Sequence, residues 1–142
     1  KAYCSELKSR CCMDYDDQMV YAYRLLKSSP GLLEYYQNRY PYICVDEAQD
    51  TSKIQHEMIA LLASKTENLF LVGDEDQSIY GFRAAYPEAL LNFEQRHPGA
   101  RVLLMEENFR SNANIVSAAD GFIQKNMLRR EKHMKATKEK AS

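Results

Sequence analysis

Apolar residues run along this chain in two rhythms. Three short continuous stretches, Tyr42-Ile43-Cys44-Val45, Leu69-Phe70-Leu71-Val72 and Val102-Leu103-Leu104-Met105, are largely β-branched or aliphatic. They have the length and continuity of strands buried on both faces, which is the habit of parallel sheets. Between them the apolar positions recur at a helical period, and this alternation predicts an α/β layered domain.

After the first strand, Thr51 or Ser52 is a natural helix cap, followed by a stripe of Ile54, Met58, Leu61 and Leu62. Nearer the end, Ser111 or Asn112 can cap a helix whose Ile115, Ala118, Ala119, Phe122 and Ile123 fall on one predicted face. Upstream, Met19, Ala22, Tyr23 and Leu26 form another stripe. Ser29-Pro30 then opens a helix carrying Leu33, Tyr36 and Tyr40, which Pro41 ends. Residues 129–142 are mostly charged or small, and they are expected to be frayed or disordered.

Composition narrows the class without naming it. A chain of 142 residues with 45% hydrophobic positions suffices for one ordinary domain with a core. No apolar run approaches the about 20 residues of a membrane helix, so a cytoplasmic protein with no membrane partner is expected. The formal charge of −1 offers no general attraction to a polyanion, so any nucleic-acid contact must be local. Cys4, Cys11, Cys12 and Cys44 lack zinc-site spacing and read as reduced thiols. The chain begins at Lys1 without a signal peptide, as expected of a piece of something longer.

Candidate chemistry sits at the ends of the first two strands. Ile43-Cys44-Val45 runs straight into Asp46-Glu47, two adjacent acids at a strand end, where α/β folds place their sites. One acid could hold magnesium while its neighbour orients or deprotonates a water. Solvated acids that merely end a strand are the plainer alternative. A second polar loop, Gly73-Asp74-Glu75-Asp76-Gln77-Ser78-Ile79-Tyr80-Gly81-Phe82-Arg83, follows the second strand.

Together, Asp46-Glu47-Ala48-Gln49-Asp50, the loop from Gly73 to Arg83, and Glu107-Asn108-Phe109-Arg110-Ser111-Asn112 resemble the second, third and fourth helicase motifs of the UvrD/Rep/PcrA family. Met13-Asp14-Tyr15-Asp16-Asp17 is similar to the segment before the second motif, so the resemblance covers residues 13 to about 128. It implies a RecA-like P-loop NTPase sheet flanked by helices, present only in part. Residues 1–100 would be the later part of the first such domain, and 101–142 the start of the second. It also implies a superfamily-one DNA helicase that couples ATP hydrolysis to 3′-to-5′ movement on single-stranded DNA and at duplex junctions.

Residue by residue, the resemblance makes Asp46 the magnesium-associated acid and Glu47 the base that activates water. Gln77 would sense the γ-phosphate, a role suited to an amide that both donates and accepts. Arg110 would reach the γ-phosphate from the second domain, and Phe109, where the family commonly has Tyr, would stack near adenine. A surface ion pair of Arg110 with Glu106 or Glu107 is the alternative. Tyr80, Phe82 and Arg83 would grip single-stranded DNA by stacking and charge. Phe82 stands where the family usually has Trp, and a core role is its alternative.

The chain contains no GxxxxGK[ST] loop, the element that holds the phosphates of ATP. It is therefore expected to be inactive alone and to depend on the remaining helicase domains of a parent chain. An AddA- or RecB-like helicase–nuclease and a non-catalytic DNA-binding paralogue stay open at this point.

Overall fold

The computed structural model describes residues 2–78, 85–86, 88–127 and 129–138. Three helices lead into the first strand: α1 (Ala2–Ser9), α2 (Tyr15–Ser28) and α3 (Pro30–Arg39). Asp14 starts α2 by accepting the Asp17 N–H at 2.8 Å, and Pro30 begins α3 where its missing N–H costs nothing. β1 (Ile43–Val45) follows, then a 3-10 turn at Ala48–Asp50 and α4 (Lys53–Ala63). Gln55 accepts the Ser52 N–H at 2.7 Å in a reciprocal cap, which places the start of α4 as expected.

β2 (Leu69–Leu71) pairs in parallel with β1, Ile43 opposite Leu69 and Val45 opposite Leu71. A 3-10 turn at Glu75–Gln77 and two short helices, α5 (Glu88–Leu91) and α6 (Phe93–Arg96), come next. β3 (Glu107–Asn112), α7 (Ala113–Ile123) and β4 (Lys135–Lys138) complete the described chain, with β3 and β4 parallel in a sheet of their own. The result is a mixed α/β arrangement with two small parallel sheets.

Several expected features are corrected. Residues 102–105 form no strand, and Leu103, Leu104 and Met105 are exposed; the strand lies a few residues later, at Glu107–Asn112. An apolar run does not become a strand without a neighbour, and the neighbour, β4, pairs with 107–112. Nor are β1 and β2 buried on both faces. Ile43, Val45, Leu69 and Leu71 are half-buried, whereas their alternate partners Cys44 and Phe70 are exposed.

The helices keep their positions but not all of their faces. In α2 the stripe holds, with Leu26 buried and Met19, Ala22 and Tyr23 half-buried. In α3 the buried side chain is Gln37, not Tyr36 or Tyr40, because its amide donates to the Leu61 carbonyl at 2.9 Å and to Ser64 Oγ at 3.1 Å. It thereby joins Ser64, whose N–H and hydroxyl also reach the Leu61 carbonyl, in closing the end of α4. In α7, Val116 is buried while Ile115 and Phe122 are exposed. The covered face, Ala113, Val116, Asp120 and Ile123, is rotated from the apolar stripe because Asp120 turns inward to meet the Met134 N–H and His133.

Residues 129–138 also depart from the expectation of disorder, forming a defined segment that ends in β4. What anchors them is charge and backbone pairing, which a count of apolar residues does not register. Arg129 and Asp76 form a bidentate ion pair with side chains 6% and 9% exposed. Cys4, Cys11, Cys12 and Cys44 are free and exposed. Among the described residues, no cluster of His, Cys, Asp and Glu could hold a metal, and no helix is long and apolar enough to cross a membrane.

Buried His56 ties α4 to the turn after β1, sharing a hydrogen bond with Thr51 Oγ1 and packing edge-on against Tyr86. Burial pulls its pKa below the ordinary 6.5; the Ala48 carbonyl opposes this, and the charge of Arg96 adds to it. The unfolded chain therefore takes up a proton at His56 before the folded one does. Stability present above 6.5 is lost as pH falls below it. Asp14, Asp74 and Asp120 are held below their ordinary 3.8, so their contribution is lost only at more acidic pH. The melting temperature is expected to drop between about pH 7 and 5 and to drop less in His56→Gln; equal drops would remove His56 as the cause.

Candidate active site

The two strand-end loops meet through one side chain. Val72 N–H donates to the Val45 carbonyl at 2.8 Å and Ala48 N–H to the Val72 carbonyl at 2.9 Å, so the pairing of β1 and β2 continues past both strands. This brings Gln49, 2% exposed, beneath the loop after β2. Its Nε2 donates to Glu47 Oε2 at 2.7 Å, and its Oε1 accepts the Asp74 N–H at 3.0 Å. Asp74 Oδ2 in turn accepts from Gln77 Nε2 at 2.8 Å. Glu47, Gln49, Asp74 and Gln77 thus form one chain of hydrogen bonds.

Backbone geometry supports the same arrangement. Glu47 adopts φ 48° and ψ 44°, the left-handed region, which costs a non-glycine residue ~1–2 kcal/mol. Such strain concentrates at functional sites. Asp46 Oδ1 accepts the Glu47 N–H at 2.9 Å, and both acids are exposed beyond the strand end. Gly73 leaves space for the buried amide: a Cβ there would lie 2.7 Å from Gln49 Oε1, 2.9 Å from Leu90 Cδ1 and 3.1 Å from Ala48 N.

The second loop is held from the other side by cations. Lys132 Nζ lies 2.6 Å from Asp74 Oδ1, 3.1 Å from Glu75 Oε2 and 3.4 Å from Asp76 Oδ2. Burial pushes the Asp74 carboxyl up, but hydrogen bonds from Lys132, Gln77 and the Asp76 N–H outweigh it and hold the group below its ordinary value. Burial likewise pulls the Lys132 ammonium down, and its hydrogen bonds to Asp74 and Glu75 reverse this and raise it. Both partners stay charged at neutral pH. A cavity of about 240 Å³ opens beside them, lined by Asp74, Gln77, Asn108, Val116, Asp120 and Lys132 among others.

Comparison with known proteins gives the arrangement its context. Residues 1–98 match the description "UvrD/REP helicase N-terminal domain". The chain belongs to the UvrD/REP helicase family. Relatives include the ATP-dependent DNA helicase PcrA of Staphylococcus epidermidis, 44% identical over 132 residues, which is 93% of this chain and 18% of that protein. PcrA of Staphylococcus aureus is 44% identical over 130 residues, 92% of this chain and 18% of that protein. The chain therefore spans about 18% of the length of these relatives.

Of the expected helicase site residues, the fold joins Glu47 and Gln77 through Gln49 and Asp74, and Asp46 is hydrogen-bonded to the Glu47 N–H. Arg110 and Phe109 stand apart on β3, both exposed, and neither lines the cavity. Arg110 makes no ion pair with Glu106 or Glu107; Glu106 Oε1 instead accepts the His133 N–H at 2.9 Å. Tyr80, Phe82 and Arg83 lie outside the described residues.

Sequence reading assigned no role to Gln49, Asp74 or Lys132. Gln49 and Asp74 sat inside recognised motifs, but only the fold reveals that one is buried and the other bridges. Lys132 lay in a charged run that gave no signal. In this helicase family member, Gly73→Ala is expected to cost about 1–3 kcal/mol through overpacking against Gln49, which is buried and has nowhere to retreat. Thermal melting checks this, and an unchanged melting temperature would show that the loop has slack at Gly73.

Proposed function

We propose that this chain carries the hydrolytic and strand-gripping elements of an ATP-dependent DNA helicase that moves 3′ to 5′ on single-stranded DNA. The observation that carries the reading is the hydrogen-bond chain from Glu47 through Gln49 and Asp74 to Gln77. It connects a carboxylate suited to activating water with an amide suited to reading the γ-phosphate, and it leaves both at the surface. Family membership and the relatives' description as ATP-dependent DNA helicases support it.

In this reading Glu47 takes the proton of the attacking water, the new bond forms at the γ-phosphorus, and the bond to the β-phosphate oxygen breaks with its electrons leaving on ADP. Gln49 donates to Glu47 and so holds that carboxylate in place. Asp46 is suited to magnesium, because Oδ1 is taken by the Glu47 N–H while Oδ2 has no partner among the described residues. A carboxylate of this kind, with substrate phosphates, meets the cation's preference for few protein ligands. Magnesium, when bound, neutralises charge on the phosphates.

Arg110 is exposed on the second sheet and has no carboxylate partner among the described residues, which suits an arginine reserved for a phosphate. Phe109 beside it, 66% exposed, has a free ring face suited to adenine. The two separate small sheets accord with a first RecA-like domain ending near residue 100 and a second beginning there. Phosphate binding through a GxxxxGK[ST] loop falls to the remaining domains of the whole protein, since these 142 residues contain none. Tyr80, Phe82 and Arg83 follow Gln77 closely in sequence, which would let a single segment touch phosphate at one end and a base at the other.

Two measurements on the complete helicase test this. Glu47→Gln is expected to bind ATP normally and lose turnover, because an amide fills the space but accepts no proton; weakened ATP binding with normal single-turnover chemistry would make Glu47 a binding residue instead. Phe82→Ala is expected to weaken single-stranded DNA binding by ~1–3 kcal/mol, one base–aromatic stack, with ATP binding in the absence of DNA unchanged. A large fall in melting temperature with unchanged DNA affinity would place Phe82 in the core.

A further inference from the structure

The loop that carries Gln77 concentrates Asp74, Glu75 and Asp76, and the cations that answer them come from the opposite end of the described chain. Arg129 reaches Asp76 across 53 positions of sequence, its Nε 3.0 Å from Oδ1 and its Nη2 2.7 Å from Oδ2. Lys132 Nζ touches all three carboxylates. Arg130 adds its backbone N–H to Glu75 Oε1 at 2.9 Å. These are not solvated pairs, for the side chains of Arg129, Lys132, Glu75 and Asp76 are 6%, 12%, 7% and 9% exposed. Exposed ion pairs are often dispensable, whereas a buried carboxylate deprived of its cation has to move or protonate.

The two oxygens of Asp74 divide the work. Oδ1 receives the Lys132 ammonium and the Asp76 N–H, and Oδ2 receives the Gln77 amide. Lys132 therefore decides how the Asp74 carboxylate is turned, and that carboxylate decides where the Gln77 amide points. Three residues beyond Lys132 the chain enters β4, which pairs along β3, and Lys138 Nζ donates to the Arg110 carbonyl at 3.0 Å. The same short segment thus grips the Gln77 loop at one end and the strand of Arg110 at the other.

We propose that Arg129 and Lys132 are positioning residues for Gln77, latching its loop to the segment that pairs with β3 so that Gln77 and Arg110 face the same phosphate when the site is assembled. This rests on the roles given to Gln77 and Arg110 above. Neither Arg129 nor Lys132 needs to touch the nucleotide. Their contribution is to turnover: ATP affinity is set elsewhere, while alignment at the transition state passes through Asp74.

The test uses the complete helicase carrying this chain, with ATP and saturating oligo(dT), and compares wild type, Lys132→Met, Lys132→Arg, Gln77→Ala and the Lys132→Met/Gln77→Ala pair. Lys132→Met is expected to lower kcat about tenfold with the KM for ATP within about twofold, and Lys132→Arg to recover most of the loss. The double variant is expected to be no slower than Gln77→Ala alone, because both changes break one linkage. If Lys132→Met does not fold, Lys132→Gln is judged by the same criteria. Normal kcat in the Lys132 variant, or losses that multiply in the double variant, overturns the latch while an impaired Gln77→Ala leaves the reading of Gln77 standing. Normal turnover in Gln77→Ala overturns that reading, and the latch with it.

Discussion

A primary amide buried to 2% exposure must place a donor and an acceptor at once, and Gln49 finds them on two different loops. Its nitrogen reaches Glu47, its oxygen takes the Asp74 N–H, and its backbone carbonyl accepts from Ser78 Oγ at 3.3 Å. Removing it would strand polar groups in a place that water does not easily serve. The parallel pairing of β1 and β2 brings the loops near each other; Gln49 fixes their separation. Gly73 accepts the closeness of that amide, and Glu47 accepts a left-handed backbone beside it.

Around this buried amide, charge rather than apolar area sets the architecture of the second half. Asp74, Glu75 and Asp76 follow one another on a short turn, and without cations their mutual repulsion would open it. Arg129 and Lys132 supply those cations, and in doing so they order a segment with few apolar side chains. Asp120 of α7 extends the same logic, accepting the Met134 N–H at 3.1 Å and meeting His133 at 3.2 Å. The apolar core is correspondingly spare, with Leu26, Ala48, Ala63, Ala89 and Val116 its buried members among the described residues.

In the helicase proposed above, these two features would couple turnover to movement. A site assembled from loops on separate sheets changes when the sheets move. Ion pairs from the loop of Gln77 to Arg129 and Lys132, continued by the hydrogen bonds of β4 to the strand of Arg110, would transmit such a change without requiring a large hydrophobic interface. Since they are buried, they keep their strength where surface pairs would be screened by salt.

By itself the sequence determined what is local. Helix starts at Pro30, at Thr51 or Ser52 and at Ser111 or Asn112, the strands near 43–45 and 69–71, and the acids beyond them follow from cap chemistry, β-branched runs and strand-end polarity that act within a few residues. Tertiary structure alone decided which face of each element was covered. Val116 rather than Ile115 is buried in α7, Gln37 rather than Tyr36 in α3, and the strand lies at 107–112 rather than 102–105. It also decided that Lys132 meets Asp74, and that Gln49 joins Glu47 to Asp74. Each of these depends on partners distant in sequence, and a periodic pattern carries no record of which distant group will arrive to satisfy a buried amide or a cluster of carboxylates.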